Sequence, residues 1–223
     1  MTSHERWEKR NWFLFLVGYF AAGYLACNWF NAQRGVYYDI SLGFESSIPF
    51  VPAFILGYLC VYGSMIYMYI ITNEITIWRR TAVSIVLMTT VAFIMFLIFP
   101  VKMVLRPEIA AVGGDGIVDW LTRFYFVIDN PYNAFPSLHV AYPTICTLLV
   151  WRTHPIARWV IAIMTLITAV SVVLVKQHYI ADIAGGLIVA SVCFVVVSKT
   201  EAWWGSLFKG SKGEAQKSQE STF

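Results

Sequence analysis

Two histidines and an aspartate offer the chemistry in this sequence. His178 and Asp182 stand four apart in KQHYIADIAGG, residues 176–186. On a helix that spacing puts the carboxylate on the imidazole's face, where it can fix the ring's tautomer and stabilise its cation. His139 lies in YNAFPSLHVAYP, residues 132–143. There Asn133 suits a helix cap and Pro136 a first turn, leaving the amides of Ser137, Leu138 and His139 to form an anion-binding helix N-terminus. Lys102 and Arg106 are also four apart and, on a helix, would grip one anion from one face. Two histidines, a carboxylate, two cations and a helix N-terminus suit phosphoryl transfer. The cations and amides hold nonbridging oxygens, one histidine attacks phosphorus and the other protonates the leaving oxygen.

Other readings use the same residues. Two histidines with one carboxylate can hold a metal, although Lys102 and Arg106 would repel it. His139, His178 and Asp182 could relay protons in a transporter, but such relays usually sit near the bilayer midplane and these residues cluster at one edge. Structural roles compete too: snorkelling cations, a capped helix start with His139 in an aromatic belt beside Tyr132 and Tyr142, and a hydrogen-bonded histidine–aspartate pair.

The elements that must position these residues are membrane spans. Of 223 residues 58% are hydrophobic and 13% charged, against roughly 25% charged in a soluble domain. Uncharged apolar runs approaching the ~20 residues a spanning helix needs lie at 11–30, 50–71, 81–99, 134–151, 159–175 and 183–198. The expectation is an all-α, polytopic bundle of six transmembrane helices forming one membrane domain over 1–198, with the site motifs within about 95–190. The first run is too long for a signal peptide's apolar region and is read as a true span. Pro143 is placed to kink the fourth span, and Gly185 and Gly186 suit close helix packing. Residues 199–223 read as a disordered cytoplasmic tail following interface anchors at Trp203 and Trp204.

Lysine and arginine distribution sets the orientation. Eleven of the sixteen fall on the side carrying both termini, which predicts cytoplasmic termini and an extracytoplasmic site. The net charge of +3 follows from this topology and implies no nucleic acid. Cys27, Cys60, Cys146 and Cys193 fall in apolar runs without metal-ligand or disulfide spacing. Nothing in the sequence speaks to oligomeric state.

Taken in order, Lys102 with Arg106-Pro107, Pro136-Ser137-Leu138-His139, and Ser171 followed by His178 and Asp182 resemble the three motifs of the type 2 phosphatidic acid phosphatase (PAP2) superfamily, with IPFVP at 48–52 a softer echo. The resemblance implies a metal-independent enzyme without cofactor, acting on a lipid phosphate or phospholipid. It further implies His178 as nucleophile forming a phosphohistidine, Asp182 as its orienting carboxylate and His139 as general acid. Phosphate would be bound by Lys102, Arg106, Ser137 and the Leu138 amide. Three departures are informative. Lys102 and Arg106 are closer than the family's pair, Leu138 replaces a glycine, and Val172 replaces an arginine, leaving Lys176 to compensate in part. These departures bring the chain nearer the branch similar to inositolphosphorylceramide and sphingomyelin synthases, whose phosphodiester substrates carry less charge. A headgroup transferase is therefore expected beside a monoester phosphatase.

Overall fold

A computed structural model describes residues 1–206 and 208. The chain forms α1 (Ser3–Arg34), α2 (Ile55–Tyr58), α3 (Cys60–Ile71), α4 (Ile75–Ile98), α5 (Ile117–Ile128), α6 (Leu138–Val150), α7 (Ala157–Leu174), α8 (Ile180–Lys199) and α9 (Glu201–Ser206). A short 3₁₀ turn at Pro52–Phe54 leads into α2 and α3, making one apolar rod from Pro52 to Ile71. Among the described residues there are no strands, only an isolated parallel bridge between Tyr38 and Val101.

Five of these segments are long and apolar enough to cross a membrane: Ser3–Arg34, Pro52–Ile71, Ile75–Ile98, Ala157–Leu174 and Ile180–Lys199. They fit a multi-pass membrane protein. The predicted fourth span, 134–151, is a shorter helix, the 13 residues of α6 with Pro143 inside it. Its shortness goes with its place. α6 packs against α3, α4, α7 and α8, and eleven of its residues are buried, so it faces protein on nearly every side.

Two glycines permit this packing. A Cβ on Gly186 would stand 2.4 Å from the Ser137 carbonyl oxygen, and one on Gly57 would stand 2.2 Å from Ser171 Oγ. The first brings the start of α8 against the start of α6; the second brings α2 onto α7.

The bundle has two ends. The one carrying residues 35–51, 99–137 and 175–179, here the site end, is closed by laced loops. Tyr38 N–H donates to Pro100 O at 2.7 Å, Lys102 N–H to Tyr38 O at 3.1 Å, and Ala134 N–H to Val101 O at 3.2 Å. The Tyr179 hydroxyl accepts from Val104 N–H at 2.9 Å and donates to Lys102 O at 3.2 Å. Residues 99–108 are accordingly not helical. The shared helical face predicted for Lys102 and Arg106 does not form, because Pro100 and Pro107 bracket the segment and a residue preceding proline is pushed out of the helical region.

The amphipathic α5 was not anticipated. Ile117, Trp120, Phe124, Val127 and Ile128 form an exposed apolar stripe, while Thr122 and Phe126 are buried. Asp119 and Arg123 interrupt its apolar run, which hides it from a search for spans. At the opposite end, α9 occupies the start of the predicted tail, with Trp204 Nε1–H donating to Val197 O at 2.8 Å. Of the rest of that tail, Lys199, Thr200 and Phe208 are described and the other residues lie outside the described ones.

Replacing Gly186 by alanine forces apart backbones that have no room to give and should cost about 1–3 kcal/mol. The measurement is thermal unfolding in detergent, with Gly18→Ala as reference. A Cβ on Gly18 would meet open space, and the residue lies inside α1, so its alanine variant should be neutral or slightly stabilising.

Candidate active site

The three helix termini at the site end deliver the predicted catalytic side chains to one place. Ser137 caps α6 with extended backbone and no side-chain cap bond. Its N–H donates to Asp182 O at 3.0 Å, so this amide is occupied. The first-turn N–H groups of Leu138, His139 and Val140 have no intrahelical acceptor. Asn133 does not cap the helix. Its side chain accepts from Asn31 Nδ2 at 3.1 Å and donates to Tyr24 O at 3.2 Å, tying the loop to α1.

α7 ends in a two-bond cap that aims His178. Lys176 takes a left-handed conformation (φ 53°), its N–H bonds to Val173 O, and Gln177 N–H bonds to Val172 O at 2.8 Å, the Schellman pattern. His178 N–H joins the same Val172 carbonyl at 3.1 Å. The left-handed residue turns the chain so sharply that His178 and Asp182 meet across a helix start, rather than along one helix face. Asp182, fully buried, accepts from Tyr179 N–H at 2.8 Å and lies 3.3 Å from His178 Nδ1, both through Oδ2. Its Oδ1 has no protein partner.

From Asp182 the polar groups continue as a chain. His178 Nε2 lies 3.0 Å from His139 Nδ1. His139 Nε2 lies 2.6 Å from the Tyr58 hydroxyl, which in turn donates to Asp129 Oδ2 at 3.0 Å. Tyr24 donates to Asp129 Oδ1. Asp129 and Tyr58 were not singled out in the sequence. Asp129 had a readable signal, an acid bordering an apolar run ten residues before His139; Tyr58 had none, being one of twelve tyrosines.

The predicted phosphate ligands divide. Arg106 stacks on Phe126 at 4.0 Å and donates from Nη1 to Asp129 O at 2.7 Å. Its Nε and Nη2, both buried, have no partner in the protein. Burial lowers the pKa of its guanidinium, with Asp129, Tyr58 and Tyr24 opposing that shift. Ser137 Oγ is likewise buried without a partner. Leu138 turns its buried side chain into a cavity beside His139. Lys102 is held elsewhere, its ammonium 4.7 Å from the Tyr37 ring centre and 5.1 Å from that of Tyr132. Lys176 donates to Glu45 O at 2.9 Å. Burial lowers its pKa, and Glu45 opposes the shift. The valine in place of the expected arginine, Val172, packs with Ile55, Tyr58, Val140 and Val175. Ser171 Oγ is buried at the Gly57 crossing without a partner.

The cavity, about 180 Å³, runs from His139 and His178 between α1 and α3, along Leu16, Val17, Phe20, Val61 and Met65. Val17 and Tyr62 at its wall are 47% and 42% exposed, so it opens sideways on the face that lipid would cover. Ties bound the opening at both ends. Lys9 Nζ donates to the carbonyls of Tyr69 and Thr72 at one, and Asp129 joins Tyr24 to Tyr58 at the other. Among the described residues no group of three His, Cys, Asp or Glu side chains is placed to hold a metal ion; the histidines and Asp182 form a chain and do not converge.

A family model described as PAP2 superfamily matches residues 54–196. No curated protein is matched by the sequence. The matched region spans more than half of the chain and includes Tyr58, Asp129, His139, His178 and Asp182: the protein belongs to the PAP2 superfamily.

Proposed function

We propose that the protein transfers the phosphoryl group or phospho-headgroup of a membrane lipid through a phosphohistidine at His178, without a metal. The observation that carries this reading is one junction. A hydrogen-bonded histidine pair, with unpartnered Arg106 and Ser137 donors nearby, opens directly onto an apolar cavity reaching the lipid-facing surface. A ligand suited to both parts has an anionic phosphate at one end and a hydrocarbon chain at the other.

The chemistry follows from proton positions. Asp182 accepts from His178 Nδ1–H, which leaves the Nε2 lone pair, paired with His139 Nδ1–H until substrate parts the two rings, to form the N–P bond. As the P–O bond breaks, the leaving oxygen takes the proton from His139 Nδ1. Water or a lipid hydroxyl then attacks phosphorus, returns a proton to His139, and releases His178 with its lone pair. Arg106, Ser137 Oγ and the first amides of α6 hold the nonbridging oxygens. By the distribution of lysine and arginine, the site end is extracytoplasmic and the termini cytoplasmic.

Site charge favours a phosphodiester over a monoester. Lys102 and Lys176 are engaged away from the histidines, Val172 brings no charge, and Asp129 adds a negative one beside Arg106. A monoester dianion would meet little compensating charge, whereas a diester carries only one. The inositolphosphorylceramide and sphingomyelin synthase-like reading rests on that balance, and a headgroup transferase is its natural activity.

Purified protein with chelator, given matched lipid phosphate monoesters and diesters, should turn over the diesters faster; faster monoester hydrolysis sinks the transferase reading. His178→Ala should abolish both product formation and acid-labile phosphoprotein, and His139→Ala should reduce turnover about 10²–10⁴-fold. Activity surviving in His178→Ala, with altered proton flux in vesicles, would instead support a transporter.

Turnover should show a bell-shaped pH dependence, requiring neutral His178 and protonated His139. A monotonic profile between pH 5 and about 9, with chemistry rate-limiting, would contradict these paired roles. Blocking the cavity by Val61→Trp should raise KM for long-chain lipids about tenfold or more and leave kcat on a short-chain water-soluble ester nearly unchanged.

A further inference from the structure

Asp129 lies outside the motif residues, yet its carboxylate is as deliberately held as that of Asp182. It ends α5, with its N–H bonded to Tyr125 O at 2.9 Å, and its side chain is 12% exposed. A carboxylate at the apolar edge of a bundle is costly unless its oxygens are satisfied. Both are, by the phenols of Tyr24 and Tyr58. Arg106, the cation in reach, bonds to the Asp129 carbonyl and not to its carboxylate. The nearest group able to carry positive charge toward that carboxylate is His139, whose Nε2 is 3.9 Å from Asp129 Oδ2.

Counting protons shows what this does. Tyr58 has one hydroxyl proton and donates it to Asp129. Its oxygen therefore accepts at the 2.6 Å contact with His139, and His139 Nε2 carries a proton. With His178 neutral, as attack on phosphorus requires, it donates from Nδ1 to Asp182 and has a bare Nε2. The 3.0 Å contact between the rings then requires a second proton, on His139 Nδ1. In that state His139 is an imidazolium with its transferable proton pointing at the place of reaction.

We propose that Asp129 is the positioning residue of the general acid: through Tyr58 it fixes the tautomer of His139 and favours its charged form, as Asp182 does directly for His178. This rests on the phosphoryl-transfer reading of the site. The charged and titratable groups around His139 are Tyr24 on α1, Tyr58 on α2, Tyr62 on α3, Tyr125 on α5, His178 and Asp182 at the start of α8, and Asp129 and Arg106 on the connection. Asp129 is the acid nearest the Tyr58 side of the ring, Asp182 standing beyond His178. Its neutralisation therefore removes the counter-charge on that side. In Asp129→Asn the new amide NH₂ cannot accept, so one of the two phenol bonds must reverse or break.

The test compares leaving groups, because a general acid matters only when the departing oxygen needs a proton. Purified full-length wild type and Asp129→Asn are assayed on decyl and para-nitrophenyl esters of methyl phosphate, and on the corresponding monoesters. On the decyl ester the variant should lose about 10²-fold or more in kcat; on the para-nitrophenyl ester, whose phenolate leaves unprotonated, it should lose less than about tenfold. The alkaline limb of the decyl profile should move to lower pH by about one unit, since removing a nearby opposite charge makes the imidazolium easier to deprotonate. Equal losses on both esters, or an unmoved limb, overturn the proposal and leave Asp129 a structural tie. Should Asp129→Asn fail to fold, Tyr58→Phe, nearly isosteric, must show the same leaving-group contrast or the proposal fails. Wild type inactive on every ester would refute the underlying reading instead, a result distinct from either variant outcome.

Discussion

The site end is organised by the need to bury two carboxylates and two imidazoles among apolar helices with a partner for each of their polar atoms except Asp182 Oδ1. The solution is a single linear chain: Asp182, His178, His139, Tyr58, Asp129, Tyr24. Each link depends on backbone placement from a different element. The Val172 carbonyl anchors His178, the α6 start sets His139, the α2 end brings Tyr58, and the α5 end brings Asp129. Because an unpaired buried polar group costs about 1–3 kcal/mol, slippage of any one element is penalised through all the others. The glycine crossings at 57 and 186 give the close approach that this requires.

Two residues beside this chain keep donors free. Arg106 spends one nitrogen on the Asp129 carbonyl and keeps two unpartnered, and Ser137 keeps its hydroxyl unpartnered although its amide is used. Such atoms are rare in a folded interior. Here Ser137 stands two residues before His139 and Arg106 lies against Asp129, where an anion would complete them. Lys102 and Lys176 are different in kind: the first rests on tyrosine rings, and the second fastens the 35–51 loop to the end of α7.

Much of this was legible in the sequence, unevenly. Hydropathy located the apolar helices, but it could not tell a lipid-facing helix from α6, an apolar helix short because protein surrounds it. Spacing found His178 with Asp182 and paired them correctly while misplacing the means, because an i, i+4 rule assumes one helix and a left-handed Lys176 intervenes. Lys102 and Arg106 failed as a helical pair through Pro100 and Pro107, both visible in the sequence. Asn133 looked like a cap, and Ser137 took the place. Tyr58 and Tyr24 were beyond reach, since their shared partner Asp129 comes from 71 and 105 residues away and no local pattern distinguishes them from tyrosines that merely pack. α5 escaped because its two charges broke the apolar run while its exposed stripe kept helical period.

The cavity's sideways mouth between α1 and α3 faces the side from which the proposed lipid substrate would approach. A hydrocarbon chain would come and go within the plane of the bilayer while its phosphate end stays at the histidines. Turnover could then proceed without the lipid ever being lifted out of its leaflet.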